Sequence, residues 1–213
     1  MPPLLSTPRR SGAEAAEGFR WLRRHPVLGP LTLAYVIYYL GFAASFSLMV
    51  VLITDELDGS SISFGLVLAA GAAGAVLGAL AGSRLSAALG TRTTLAASVA
   101  LQAITVAAVA SSRSTVAVAA LWFLNGVPGG IGRPVGRSLE QRLTPNHLLG
   151  RVNVTSRILT RGIIVVGAVL AGALATATNV RWSFATGAII QLAAAAIIWT
   201  VLAPITTAPP EKP

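Results

Sequence analysis

The sequence predicts an all-α integral membrane protein of six transmembrane helices, laid out as two inverted three-helix repeats. Three observations point there. Of 213 residues, 54% are hydrophobic and only 11% are charged, with a mean hydropathy of +0.73, whereas a soluble chain carries roughly 25% charged residues. Uncharged runs alternate with short arginine-bearing turns, and each run comes close to or exceeds the ~20 residues that a spanning helix needs. Lastly, Gly74-Ala-Val-Leu-Gly-Ala-Leu-Ala in the second run resembles Gly167-Ala-Val-Leu-Ala-Gly-Ala-Leu in the fifth. These are the middle helices of two three-helix units, and three spans followed by three invert the second unit relative to the first.

The elements follow in order. Residues 1–26 read as a cytoplasmic leader with Arg9, Arg10, Arg20, Arg23 and Arg24, and they lack the apolar core of about 7–15 residues that a signal peptide requires. Within it, 14–25 can be drawn as a short interfacial helix with Phe19 near Leu22 and arginines on the rim, or read as a solvated leader. The membrane domain covers 27–204. Its first span, 28–54, lies in a charge-free run of about 42 Å if helical, longer than the ~30 Å hydrocarbon core, so it tilts or protrudes. The acidic turn Asp55, Glu56, Leu57, Asp58, Gly59 closes it. The second span (62–83) and third (93–112) are joined by a basic turn over 84–92, and Arg113 separates the third from the fourth, 114–136. A polar link reaches Arg161, with helical continuations of its neighbours at both ends. The fifth span (158–180) and sixth (183–203) flank Arg181, and 205–213 form a cytoplasmic tail.

Orientation follows from the cations. The net charge is +9 and the pI about 11.6, values that in a soluble chain would raise nucleic-acid binding. Here the cations lie between apolar runs, where they orient helices: fourteen of the 16 fall on one side and only Arg113 and Arg181 on the other. Both termini are therefore expected in the cytoplasm of a multi-pass inner-membrane protein, with the lipid bilayer and not nucleic acid as its surroundings. Asn153 of an Asn-Val-Thr triplet then faces the wrong side for glycosylation.

The chemical inventory excludes much. With no Cys there is no disulfide scaffold, thiolate zinc or iron–sulfur site. His25 and His147 both lie in polar segments, so no intramembrane serine–histidine dyad and no metal-ligand cluster is expected, and the only Lys, Lys212, leaves no phosphate-binding P-loop. An enzyme is not expected, nor a cofactor. The spans hold no Asp or Glu, so coupling to an ion, a proton first among candidates, is not displayed by this chain.

Glycine is abundant instead. Gly71, Gly74, Gly78 and Gly82 make a smooth stripe on the second span, and Gly167 and Ala171 one on the fifth; each would let another backbone approach closely. Such stripes fit an interface with another half or copy of the molecule, or packing inside the unit. In the fourth span Gly126, Pro128, Gly129, Gly130 and Pro134 crowd at membrane depth, as a hinge beside a solute path or as a packing kink. Tyr35, Tyr39, Phe42 and Phe46 share one face of the first span and, with Trp122 and the polar Asn125, could wall a cavity for a small amphiphilic solute, or simply pack. Gln102 and Gln191 read as interhelical hydrogen-bonding groups. Glu140, among Arg137, Arg142 and Arg151, reads as an ion pair or gate latch.

Several stretches carry a resemblance. Glu17-Gly18-Phe19-Arg20-Trp21-Leu22 followed by His25-Pro26-Val27-Leu28, the turn from Gly82 to Arg92, and Glu140-Gln141-Arg142-Leu143-Thr144-Pro145 leading to Gly150-Arg151-Val152 together resemble the C-terminal six-helix half of a major facilitator superfamily transporter, of the bacterial macrolide-efflux and siderophore-exporter branch. The resemblance covers roughly 14–204. It implies half of a major facilitator fold, with the first and fourth spans lining a central cavity, the second and fifth facing the other half, and the third and sixth facing lipid. Gly90, Arg92, Glu140, Arg142, Pro145, Gly150 and Arg151 would form the cytoplasmic gate or loop motif, although Ala87 stands where the family usually has an acid. Met1 would fall in the linker between halves. The function implied is a half-size secondary transporter, an antiporter exporting amphiphilic organic solutes or drugs, completed as a homodimer or by a separate N-terminal six-span half. The alternative is a non-transporting membrane interaction subunit or a remnant of a full-length transporter.

Overall fold

In hydrocarbon an apolar chain must pair its own backbone groups, and the helix does so within one segment. The computed structural model describes residues 11–203, and these are helical almost throughout; Arg9, Arg10, Pro204, Pro209, Pro210 and Lys212 lie outside them. The elements are α1 (Ser11–Arg24), α2 (Leu28–Phe46), α3 (Met49–Val51) running into a π-helical turn (Leu52–Glu56), α4 (Ser61–Ser111), α5 (Thr115–Leu143), α6 (Leu149–Ala177) and α7 (Val180–Val201). Five helical stretches are long and apolar enough to cross a membrane: Leu28–Glu56, α4, α5, α6 and α7.

At 51 residues, α4 would extend about 77 Å if straight, more than twice the hydrocarbon thickness. It is not straight. Gly90 has φ 78° and ψ 156°, a region open essentially to glycine alone, and neighbours on α5 show what this does. Along the first arm, Gly71, Gly74, Gly78 and Gly82 meet Trp122, Phe123, Val127 and Ile131 in the same chain order; along the second, Ser98 and Gln102 meet Gly132 and Gly129 in reverse order. The two arms therefore run in opposite directions against α5, and the chain doubles back at Gly90. The basic turn expected over 84–92 shrinks to that residue, because one glycine reverses the chain without a loop. Helix also extends further than expected into the polar link, α5 to Leu143 and α6 from Leu149, since those arginines sit on helical faces rather than in coil.

Two apolar clusters hold the bundle. One gathers Leu22, Leu28, Leu31, Leu95, Val99, Leu139, Val152 and Ile198; the other gathers Met49, Leu52, Ile53, Val67, Val106, Trp122 and Phe184. Leu22 brings α1 into the first cluster, while Phe19, one turn earlier on the same helix, is exposed. Helix α1 leans on α6: Gly18 lies against the Arg151 carbonyl and Thr155, and Glu17 pairs with Arg151 at 2.8 Å.

The glycine stripes are occupied within the chain, which corrects their assignment to another half. A Cβ on Gly74 or Gly78 would collide with the carbonyl of Phe123 or Val127, and one on Gly71 with Trp122; Gly82 lies over Ile131, and Gly167 over Leu40 and Ala43 of α2. The Ala171 carbonyl accepts a hydrogen bond from Ser183 Oγ of α7 at 3.0 Å. The open faces are the opposite ones, with Val76, Leu77 and Leu80 on α4 and Val165, Val169 and Leu170 on α6 exposed.

Two outcomes follow from this geometry. A Cβ placed on Gly90, or on Gly65 in mid-helix, would have nothing within 4 Å; Gly90→Ala should therefore cost about 1–3 kcal/mol from backbone conformation alone, while Gly65→Ala gains up to about 1 kcal/mol. Denaturant titration in detergent distinguishes them, and equal effects would contradict the reversal. At the entry to α2, His25 Nδ1 accepts from the Val27 and Leu28 amides at 3.2 and 3.0 Å, which requires an unprotonated nitrogen. Burial pushes the imidazole below its ordinary value, so this stabilisation is complete above about pH 6.5 and is lost as pH falls through the lowered value. Amide protection at Val27 and Leu28, corrected for intrinsic exchange, should fall between pH 7 and 5 and lose that dependence in His25→Ala; constant protection would refute the cap.

Candidate functional site

Glycines on α5 make room for a cavity. Gly129 faces Gln102, Gly132 faces Ser98, and Gly136 faces the Tyr35 hydroxyl; beside them opens a space of about 560 Å³ walled by α2, α4, α5 and α6. Tyr35, Tyr38 and Tyr39 form its α2 side. Tyr38 Oη donates to Gln102 Oε1 at 2.7 Å, and Gln102 Nε2 donates to the Ser98 carbonyl at 3.1 Å. The Tyr35 hydroxyl is buried with no hydrogen-bond partner among the described residues, as is the Gln191 Nε2 group elsewhere in the bundle.

The expected aromatic face divides. Tyr35 and Tyr39 line the cavity, whereas Phe42, Phe46, Trp122 and Asn125 do not. Phe42 stacks on Phe46 at 5.2 Å and on Tyr38 at 6.2 Å, and Phe46 stacks on Trp122 at 6.4 Å, so the ladder leaves the cavity wall and joins α2 to α5. Asn125 is a tie: its Nδ2 donates to the Gln102 carbonyl at 3.0 Å and to Thr105 Oγ1 at 2.7 Å. Tyr38 lay outside the expected face yet joins the cavity wall, and its spacing of three from Tyr35 was the available signal.

The hinge candidates divide, with Gly129 in the cavity lining. Gly126 and Gly130 lie against the backbone of Gly71 and Ala75, Pro128 is buried and Pro134 exposed, and α5 is helical through both prolines.

The charged lining includes the expected pair of Glu140 with Arg137, while the convergence of the other arginines was unforeseen. Arg133 and Arg137 from α5 and Arg157 and Arg161 from α6 face the cavity with one carboxylate, Glu140. Glu140 lies 3.7 Å from Arg137 and accepts from Ser156 Oγ at 3.2 Å, while Arg137 Nη1 donates to Asn153 Oδ1 at 2.5 Å. Arg151 is engaged by Glu17 instead. Of the remaining loop-motif residues, Arg142 is exposed, Gly150 faces open space and the Pro145 carbonyl accepts from the Leu148 amide at 2.9 Å. Arg92 donates through Nε to the Trp199 carbonyl at 2.8 Å, with its guanidinium 3.8 Å over the Trp199 ring, tying α4 to α7.

At the opposite end, Arg181 works as a clamp. It donates to Glu56 at 2.7 Å and to the Ala110 and Ser112 carbonyls at 3.0 and 2.6 Å. The acidic turn is thereby held to the helix ends beside it.

Among the described residues no three His, Cys, Asp or Glu side chains are grouped so as to hold a metal ion. No curated protein matches the chain closely enough to count as a relative. Residues 31–213 match the Major Facilitator Superfamily, whose members move solutes across membranes rather than catalyse reactions, and the bundle of long apolar helices around a cavity with aromatic and arginine lining is in keeping with that match. The chain belongs to the major facilitator superfamily of membrane transporters.

Proposed function

We propose that this chain is a six-crossing half-unit of a secondary transporter that exports amphiphilic organic solutes across the inner membrane, both termini lying in the cytoplasm. Counting the arms of α4 on either side of Gly90 as separate crossings supports six, and the matching glycine faces of Gly74 and Gly167 support two inverted repeats. The observation that carries the reading is the cavity: polar and aromatic groups from four helices converge in a bundle that is otherwise apolar. Polar lining at membrane depth marks a solute path.

One wall does not make an alternating-access route, so these six crossings work against a second six-span half, another copy or an N-terminal half. The outer faces favour this. Only 11% of the most apolar stretch of α6 and 22% of that of α4 are buried, against 44% in Leu28–Glu56. A second reading, a non-transporting membrane subunit or remnant, is favoured by one observation: the cavity's single carboxylate, Glu140, is engaged by Arg137 and Ser156, leaving no free acid there for proton coupling.

Native mass in lipid nanodiscs, with every co-purifying chain identified, tests the proposal. A homodimer, or a complex with another six-span chain, is the expected result, followed by outward movement of amphiphilic dyes in reconstituted vesicles. A stable monomer that moves none of them would overturn the transport reading in favour of the accessory one.

A further inference from the structure

Resting on the transport-cavity reading, we infer that the solute taken by this cavity is an organic anion, its acidic group held by the α5 and α6 arginines and its apolar part laid on the tyrosine wall. Arg133 and Arg137 stand one turn apart on α5, and Arg157 and Arg161 one turn apart on α6, a spacing that puts each pair on one helix face. All four line the same cavity. Glu140 offsets one of these charges through Arg137, and among the described residues no carboxylate pairs with Arg133, Arg157 or Arg161.

Orienting the helices requires arginines in the loops; it does not require four of them, from two helices, to converge on one cavity. All four are solvent-accessible, and Arg84 and Arg142 serve orientation equally well from outside the cavity. A cleft lined by one sign of charge between low-dielectric walls concentrates the field on the opposite charge. Guanidinium groups present a planar fork that matches carboxylate, phosphate or sulfonate oxygens. Beside them Tyr35 and Tyr39 supply an aromatic surface, and the Tyr35 hydroxyl has no partner among the described residues. The shared chemistry is an acidic head on an apolar body, which a free organic anion or the headgroup of an acidic lipid can supply.

The test uses the full chain in phosphatidylcholine nanodiscs, titrated calorimetrically with 1-naphthyl phosphate and, separately, with 1-naphthylmethylamine. The phosphate should bind saturably and the amine should not. Arg133→Gln and, as a second variant on a different helix, Arg161→Gln should each weaken binding about tenfold, the loss of one charge-assisted contact, while Arg84→Gln leaves it unchanged. Doping the discs with phosphatidylglycerol separates the sources: competition with the probe identifies a lipid headgroup as an occupant, and undisturbed binding identifies a free organic anion. Absence of phosphate binding, a preference for the amine, or equal affinity in both cavity variants and the wild type would overturn the inference. Because binding is read on the chain without transport, an anion-binding protein that moves nothing would sink the transport reading alone.

Discussion

The closest constraint in the molecule is the contact of α4 on α5, backbone against backbone. Gly71, Gly74 and Gly78 leave no room for a Cβ against Trp122, Phe123 and Val127, and Gly126 and Gly130 reciprocate against Gly71 and Ala75. Between apolar helices in lipid no hydrophobic gain is available, so close packing and interhelical hydrogen bonds must hold them. This contact sets the rotation of α5, and with it everything on the other faces of that helix. Gly129 and Gly132 then meet the returning arm of α4, and Arg133 and Arg137 are turned into the cavity.

A second level of organisation is polar. Tyr38, Gln102, Asn125 and Thr105 link α2, α4 and α5 through three short hydrogen bonds, one of them to a backbone carbonyl. Each would be costly if unpaired in an apolar bundle, and Tyr38 and Gln102 carry the network to the cavity wall. At either end of the bundle arginines finish the assembly: Arg92 with Trp199, Arg151 with Glu17, and Arg181 with Glu56. The same residue type thus fastens the ends of the bundle and lines the open cavity with positive charge.

That double use explains what could be read from sequence and what could not. The long helices were legible because uncharged runs of spanning length leave few alternatives, and a turn was legible from the basic residues over 84–92, though not its confinement to Gly90. The glycine stripes announced that a backbone lies close, but a small-residue face does not say whose backbone, and it proved to be α5 of the same chain. Asn125 was recognised as needing a partner; that the partner was Gln102 rather than a solute depended on the fold. The four cavity arginines were indistinguishable from orienting charges, since loop-end cations and cavity-lining cations leave one pattern along the chain. Only the joint placement of α5 and α6 separates the two.

The proposed transport path requires one face of α6 to border a water-filled, electropositive space while its opposite face is apolar and covered by lipid or protein. The chain has no native cysteine, so single cysteines report without background. Thr160→Cys lies in the cavity lining and Val169→Cys on the exposed apolar face. In membranes, Thr160→Cys should react on the order of tenfold faster with a sulfonate-bearing methanethiosulfonate than with its trimethylammonium counterpart, and Val169→Cys should react with neither. A Thr160→Cys that is unreactive, or that prefers the cationic reagent, would rule out an electropositive, water-filled space beside α6.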